Sequence, residues 1–120
     1  MLKGYTLPRT PRGTSSLSPA PPWHYVGNAL AVEFAASPEA VAAFLPEGLE
    51  FSSNHCAVYF LEWQYASDTG LEYLDPIRSQ YRETIVLLSA SYEGASVAFC
   101  PFIWLDQDVA LMRGLAQGWP

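Results

Sequence analysis

The sequence predicts a β-rich α+β fold, and three observations support this prediction. In several segments apolar residues alternate with small or polar ones, which is the two-residue period of half-buried strands. The dipeptide Glu93-Gly94 separates two long apolar segments, as in a tight β-hairpin. Half of the 120 residues are apolar and only 15% are charged, so the chain has enough apolar material for the core of one ordinary domain.

The first predicted strand covers residues 25–35, where larger and smaller side chains alternate. A short helix is predicted to follow, because Ser37-Pro38-Glu39 offers an N-cap, a proline for the first helical position and an acid for the first turn. We expect Pro46 and Gly48 to end this helix. Its buried side is predicted to consist of Val41, Phe44 and Leu45.

A second strand is predicted over residues 56–64, followed by a turn at residues 67–70. Residues 71–79 are expected to be irregular, because Asp75-Pro76 is incompatible with a central strand. Residues 80–92 and 95–104 are predicted to pair as a hairpin. Pro101 lacks an amide donor, so the second arm should lie at a sheet edge or bulge there.

The last predicted element is a helix that begins at or near Asp106, whose carboxylate could cap the first turn. Its sequence leads to a Gly-Trp-Pro corner at residues 118–120. The apolar stripe of this helix is predicted to consist of Val109, Met112 and Ala116.

The charge distribution excludes one class of partner. The net charge is −6, and all twelve acidic residues lie after residue 32, where they face only three arginines. An acidic body repels phosphate backbones, so we expect no nucleic-acid binding. No apolar run approaches the roughly twenty residues of a membrane span, so no membrane insertion is expected either.

The amino-terminal residues 1–22 are rich in Pro and Ser and are predicted to form an extended arm ahead of a domain at 23–120. This arm either frays or lies across a neighbouring subunit.

Cys56 and Cys100 are far apart and flanked by apolar residues, which favours buried free thiols. With no secretory signal at the start, a cytoplasmic protein is expected. His24 and His55 lack partners at metal-ligand spacing, so no metal site is predicted.

One strand carries the strongest candidate site. In residues 80–88 the two-residue period places Tyr81 and Glu83 on the same face as Ile85 and Leu87. A carboxylate among apolar side chains is costly unless it is paired, and its pKa is sensitive to burial. Glu83 is therefore a site candidate. Solvation at a strand end, or a pair with an arginine, is the alternative that the local pattern leaves open.

Five blocks occur in an order that resembles the amino-terminal part of acetoacetate decarboxylase-like proteins. They are Pro21-Pro22-Trp23-His24-Tyr25, Leu45-Pro46-Glu47-Gly48-Leu49, Ser79-Gln80-Tyr81-Arg82-Glu83, the hairpin at Glu93-Gly94, and the segment from Asp106 to Pro120. The resemblance implies part of a closed β-barrel with short peripheral helices, usually in a homo-oligomer. It also implies lysine Schiff-base chemistry on small keto acids, without a cofactor.

In that family a pair of lysines follows the position matched by Trp119-Pro120, and Lys3 is the only lysine in these 120 residues. The resemblance implies that Glu83 is the carboxylate beside the Schiff base, and that Tyr81 and Gln117 face the substrate pocket. The family's best-known decarboxylases carry an arginine in the first strand, where this sequence has Gly27 or Asn28. Related proteins of this fold perform aldol or dehydration chemistry instead.

Three hypotheses remain from the sequence alone. The first is a portion of an acetoacetate decarboxylase-like enzyme, inactive by itself because the nucleophilic lysine is missing. The second is a non-catalytic module that binds a small molecule or another subunit. The third is a chain that does not fold independently, because an incomplete barrel leaves strand edges open.

Overall fold

The protein folds around a single antiparallel sheet of four strands in the order β1-β2-β3-β4. The computed structural model describes residues 19, 21–68 and 71–120. Its elements are β1 (Trp23–Ala35), α1 (Pro38–Ala42), β2 (Glu50–Ser67), a 3-10 helix (Glu72–Leu74), α2 (Pro76–Ser79), β3 (Gln80–Tyr92), β4 (Ala95–Leu105) and α3 (Asp108–Gln117). The predicted β-rich α+β class is confirmed. Within the described residues the sheet is open, because β1 and β4 each pair with one neighbour only.

The predicted strands are all present, and the hairpin is confirmed. β2 extends further than expected in both directions, whereas β3 has the predicted bounds. Glu93 and Gly94 both have positive φ, 49° and 80°, which a two-residue turn needs to match the twist of its strands. The predicted arm at residues 1–22 lies mostly outside the described residues, as does part of the turn at 67–70.

Pro101 lies in a bulge of β4, which forms one edge of the described sheet. Leu88 pairs with Phe99 and Val86 pairs with Phe102, so one β3 residue faces two residues of β4. Proline has no amide hydrogen for the ladder, and an edge bulge is the position that tolerates it. Both parts of the prediction for Pro101 are therefore confirmed.

The two faces of the sheet carry different side chains and different helices. The pocket face is defined by Trp63, Tyr65, Tyr81 and Glu83, and α3 packs on it. The opposite face is defined by Cys56, Phe60, Arg82 and Leu88, and α1 packs on it. Several apolar side chains of the opposite face are exposed, namely Val26, Leu30, Val32, Phe34, Phe60, Phe102 and Trp104.

Helix α1 begins as predicted, with the Ser37 hydroxyl accepting a hydrogen bond from the Ala40 amide at 3.2 Å. Val41 is fully buried against Cys56 and Leu88. Phe44 was expected to be buried as well, and that prediction is wrong. The helix ends at Ala42, and half of the Phe44 side chain remains exposed while its ring contacts Phe102 edge-on.

Helix α3 begins near Asp106 as predicted, but its capping residue and its buried side differ from the prediction. It begins at Asp108, and Gln107 is the cap, accepting from the Ala110 amide at 2.6 Å. Asp106 instead accepts from the Arg82 amide at 2.8 Å, which ties the preceding loop to β3. The fully buried residues of α3 are Ala110 and Arg113 rather than the predicted apolar stripe.

The carboxyl end of α3 closes with a left-handed turn at Gly118, where φ is 88°. The Trp119 amide donates to the Gly114 carbonyl at 3.1 Å, which satisfies one of the last helical carbonyls. The same turn brings the Trp119 side chain back to the rim of the pocket face.

None of the described helices is long and apolar enough to cross a membrane.

Candidate functional site

A cavity of about 430 Å³ lies between the pocket face of the sheet and helix α3. Aromatic and apolar side chains form most of its wall, and its polar side chains are few, which is typical of sites for small organic molecules. The lining residues are Trp23, Tyr25, Trp63, Tyr81, Glu83, Ile103, Leu105, Ala110, Arg113, Gly114, Gln117 and Trp119.

A larger hollow of about 510 Å³ lies over the same strands near Arg82 and Glu62. Its charged side chains are exposed, and Arg82 already pairs with Glu62 at 3.2 Å. Charges that are solvated and paired in this way give little binding energy for a ligand. The cavity under α3 is therefore the better candidate site, although it is the smaller of the two.

Arg113 dominates the electrostatics of this cavity. Its side chain is only 5% exposed, although it carries a full positive charge. The guanidinium carbon lies 5.1 Å from the Trp23 ring centroid, 5.5 Å from that of Tyr25 and 5.0 Å from that of Tyr65. Such contacts stabilise a cation that has lost most of its water.

The hydrogen bonds of Arg113 are incomplete. Its Nη2 donates to the Tyr81 hydroxyl at 3.3 Å. Its Nη1 is buried and has no hydrogen-bond partner among the described residues. A buried guanidinium normally pairs with a carboxylate or phosphate in a two-pronged contact, and no described carboxylate lies within ion-pair distance of Arg113. The arrangement suits an anionic ligand in the cavity.

Glu83 lies on the sheet side of the same cavity, half-buried near the start of β3. Burial raises the pKa of its carboxyl, while the nearby Arg113 charge and a hydrogen bond from the Trp63 side chain lower it. Burial outweighs the two opposing effects, so the carboxyl holds a proton more readily than a solvated glutamic acid does. A carboxyl of this kind can donate or accept a proton near a bound ligand.

Tyr81 keeps its proton at all ordinary pH values. Burial, followed by the electrostatic effect of Tyr25, raises the pKa of its phenol, and Arg113 opposes the shift. The neutral hydroxyl accepts from Arg113. Tyr81 therefore orients the guanidinium at the cavity.

The structure places the three predicted site residues at one cavity. Tyr81 and Glu83 share a face of β3, as the alternation predicted, and Gln117 reaches the rim from the last turn of α3. Gln117 is exposed, whereas the other two are buried or half-buried. Their roles in binding or catalysis remain predictions.

Sequence reasoning missed Arg113, which has the most unusual surroundings in the cavity. It also missed Trp23, Tyr25 and Trp63 as lining residues. A signal was available, because Ala110, Arg113 and Gln117 follow helical spacing along one side of α3. The aromatic residues recur at two-residue spacing on β1 and β2, which places them on one face of the sheet.

The described residues contain no group of three or more His, Cys, Asp and Glu side chains that could hold a metal ion. His24 is hydrogen-bonded at 2.6 Å to Asp68 on the exposed surface, away from the cavity lining. The chemistry that this site offers by itself is anion binding and proton transfer.

Comparison with known proteins identifies related folds. The family model described as acetoacetate decarboxylase (ADC) matches residues 6–120. A solved structure of the enduracididine biosynthesis enzyme MppR complexed with pyruvate is 42% identical, with a TM-score of 0.86 over 100% of this chain and 48% of that one. MppR complexed with the condensation product of pyruvate and imidazole 4-carboxaldehyde gives the same identity and TM-score, with 100% and 47% coverage.

A more distant structure is an acetoacetate decarboxylase-like enzyme from Sphingomonas wittichii RW1. It is 27% identical, with a TM-score of 0.81 over 92% of this chain and 44% of that one. No curated protein matches the sequence at a significant level. The chain thus spans about half the length of the solved structures that it matches.

Proposed function

Because the chain belongs to the acetoacetate decarboxylase family, we propose that its cavity binds the carboxylate of a small keto acid through Arg113. Glu83 is then the general acid–base group beside the keto carbon, and Tyr81 and Gln117 contact the substrate. The known complexes of MppR, one with pyruvate and one with a pyruvate condensation product, support a short keto acid as the ligand class.

One observation carries this proposal. Arg113 lines the cavity, and its buried Nη1 group has no hydrogen-bond partner among the described residues. Burying a guanidinium with unsatisfied donors costs several kcal/mol, so such an arrangement persists where a ligand completes it. A carboxylate supplies two acceptor oxygens in the spacing that a guanidinium recognises.

The reaction that fits this site is lysine Schiff-base chemistry of the decarboxylase or the aldolase and dehydratase type. The amine condenses with the keto carbon and releases water, and the resulting protonated imine accepts the electron pair left when a bond to the neighbouring carbon breaks. In this scheme the Glu83 carboxyl acts as a general acid and base, which donates protons to the substrate carbon or the imine nitrogen and accepts protons from them. The amine must be uncharged to attack, which a pocket close to a cation promotes.

These 120 residues contain one lysine, Lys3, which is outside the described residues. We therefore propose that residues 21–120 supply carboxylate binding and proton handling, and that they form no imine by themselves. A non-catalytic module that binds small keto acids is the second candidate function, and the buried Arg113 in a mostly apolar cavity favours it, because this arrangement serves binding alone.

A titration of the protein with pyruvate, followed by borohydride treatment and mass measurement, tests both proposals. We expect saturable binding of pyruvate, and much weaker binding of methyl pyruvate, which keeps the shape but lacks the anionic charge. Equal affinity for the acid and its ester would contradict the role of Arg113. A reduced adduct on Lys3 or on the α-amine would contradict the absence of imine formation.

We also propose that the protein assembles as a homo-oligomer. The exposed apolar side chains of the opposite face, such as Leu30, Phe60 and Trp104, support this proposal, because monomeric proteins rarely expose large contiguous apolar patches. Sedimentation velocity over a range of concentrations would test it, and a monomer at every concentration would contradict it.

A further inference from the structure

The cavity under α3 has two ends that differ in chemistry. Its cationic end is formed by Arg113 and by the Tyr81 hydroxyl, which accepts a hydrogen bond from the guanidinium at 3.3 Å. Its aliphatic end is formed by Ile103 and Leu105, two side chains of β4. Glu83 lines the same cavity, and the strand pairing shows where it lies relative to the two ends.

The pairing of β3 with β4 sets the order of these groups along the sheet. Tyr81 and Glu83 are two residues apart on one face of β3, which corresponds to about 7 Å along the strand. Leu105 pairs with Glu83, and Ile103 pairs with Ile85, which lies a further two residues, or about 7 Å, from Tyr81. The cavity therefore runs from the cationic end, past the Glu83 carboxyl, to the aliphatic end.

Helix α3 covers the cationic end of the cavity. Its buried residue Ala110 packs against Tyr65 and Tyr81. One turn later, Arg113 lies against the rings of Trp23 and Tyr65. The aromatic surface at this end is thus already in contact with the helix or with the guanidinium.

The aliphatic end still has apolar surface to bury. Ile103 and Leu105 are only partly buried, so a ligand tail lying against them would remove more apolar surface from water, which is favourable. Among the described residues that line the cavity, only Glu83 and Arg113 are charged. A charged tail would therefore find no ion-pair partner beside Ile103, whereas a hydrocarbon tail needs none.

We propose that the cavity takes keto acids with an aliphatic tail, whose carboxylate lies at Arg113 and whose tail lies against Ile103 and Leu105. The inference rests on the proposed function, because it requires the carboxylate at Arg113, and it deepens that function by naming the substrate class. Pyruvate ends in a methyl group directly after its keto carbon, so it extends no further than Glu83. Ile103 and Leu105 are then the residues that distinguish longer acids from pyruvate.

Calorimetric titration with a series of acids tests the proposal on the unmodified protein. Pyruvate, 2-oxobutanoate, 2-oxopentanoate and 2-oxohexanoate share the carboxylate and the keto group, and each is longer than the one before by a single methylene group. Burial of each added methylene should tighten binding about threefold, or about 30-fold over the whole series. Equal affinity for all of these acids would overturn the proposal.

A charged tail separates an apolar wall from a cavity that is merely long. 2-Oxoglutarate has the same carbon chain as 2-oxopentanoate but ends in a second carboxylate, which would have to lie beside Ile103 without a partner. We expect 2-oxoglutarate to bind no more tightly than pyruvate. Equal affinity for 2-oxoglutarate and 2-oxopentanoate would contradict an apolar tail.

Variants of two adjacent β4 residues locate the tail. Ile103→Ala removes most of the aliphatic end, so the ratio of the affinities for 2-oxohexanoate and pyruvate should fall from about 30 to about 3. Ile103→Val preserves the packing better and should lower this ratio by about twofold. Trp104→Ala is the matched control, because Trp104 lies on the opposite face, outside the lining of the cavity, and it should leave the ratio unchanged.

Two outcomes of the variant experiment would refute the inference. An unchanged ratio in both Ile103 variants would show that the tail does not lie at the aliphatic end. A ratio that falls in Trp104→Ala instead would place the tail on the exposed apolar side chains of the opposite face.

Failure of this proposal is distinguishable from failure of the proposed function. Arg113→Met should weaken the binding of every acid in the series by the same factor and leave the ratios between them. Binding that depends on Arg113 but not on tail length would refute the inference and retain the proposed function. Binding that depends on tail length but not on Arg113 would refute the proposed function instead, and no binding of any acid would refute both.

Discussion

Replacing Arg113 by methionine should separate ligand binding from stability. Methionine has a flexible apolar side chain that can fill the space of the arginine stem among Trp23, Tyr25 and Tyr65. The change removes the only buried arginine of the described residues, together with its hydrogen bond to the Tyr81 hydroxyl. The two expected effects have opposite signs.

The loss of binding follows from the hydrogen bonds that a carboxylate would make with the guanidinium. Hydrogen bonds to charged groups contribute about 1.5–3 kcal/mol each, and a two-pronged contact in a partly buried cavity should contribute about 3 kcal/mol in total. Since 1.4 kcal/mol corresponds to a factor of ten, we expect the affinity for pyruvate to fall roughly 100-fold.

The effect on stability combines a loss with a larger gain. The variant loses a hydrogen bond of about 1 kcal/mol and cation–π contacts of about 2 kcal/mol for a desolvated cation. It gains the removal of a buried charge with an unsatisfied donor, which costs several kcal/mol in the native protein. The free energy of unfolding should therefore stay the same or rise by up to about 3 kcal/mol.

Calorimetric titration with pyruvate and urea-induced unfolding measure the two effects on the same samples. Arg82→Met is the matched control, because Arg82 is exposed and pairs with Glu62 on the surface. This control should change neither quantity by more than about 0.5 kcal/mol. An Arg113→Met variant that binds pyruvate within about threefold of the unmodified protein would refute the assignment of Arg113 as the anion site.

Three further changes should be measurable by urea unfolding. Because the pKa of Glu83 is raised on folding, its contribution to stability should be fully present below the ordinary carboxyl value of 4.5 and be lost as the pH rises through the raised value. Glu83→Gln should remove this pH dependence, and an identical pH profile in the variant would contradict it. Gly27→Ala should lower the free energy of unfolding by about 1–3 kcal/mol, because the new Cβ atom would clash with the Glu62 carbonyl. Gly114→Ala should instead add about 0.5–1 kcal/mol of helix stability, since its Cβ atom would meet Trp119 at an ordinary 3.7 Å. Equal effects of the two variants would be inconsistent with the packing. Gln107→Ala should lower the free energy of unfolding by about 1–2 kcal/mol. It removes the cap of α3 and two hydrogen bonds to the carbonyls of Ile77 and Arg78 at 3.0 Å each. The first-turn variant Asp108→Asn should be less destabilising, and the reverse order would contradict the assignment of the cap.

The parts of the fold that could be predicted from the sequence depend on local chemistry. The hydroxyl cap at Ser37, the tight turn at Glu93-Gly94 and the edge position of Pro101 each follow from the backbone preferences of a few neighbouring residues. The shared face of Tyr81 and Glu83 follows from the pleat of one strand. In each case the decisive residues are adjacent in the sequence, so no knowledge of distant contacts was needed.

The missed features depend on residues far apart in the chain. Apolar periodicity selected the wrong side of α3, because the side that is buried carries Arg113 and the rule assumes that charges face water. The burial of Arg113 is possible only because rings from β1 and β2 surround it. Similarly, Asp106 looked like the helix cap, but a backbone amide 24 residues earlier in the chain takes its carboxylate. Such competition between partners cannot be read from a local pattern.

The extra residue in β4 decides which side chains the cavity receives. Before the bulge Phe99 pairs with Leu88, and after it Phe102 pairs with Val86. Both rings therefore lie on the opposite face, although regular alternation would put residues three apart on different faces. Because the bulge shifts the alternation by one residue, Ile103 and Leu105 lie at the cavity wall. If β4 paired without the bulge, simple alternation from Phe99 would bring Phe102 opposite Ile85 and Trp104 opposite Glu83, and these bulkier rings would replace two aliphatic side chains at the cavity wall. The one extra residue in the β4 bulge, which lies outside the cavity lining, thus determines how wide the cavity is.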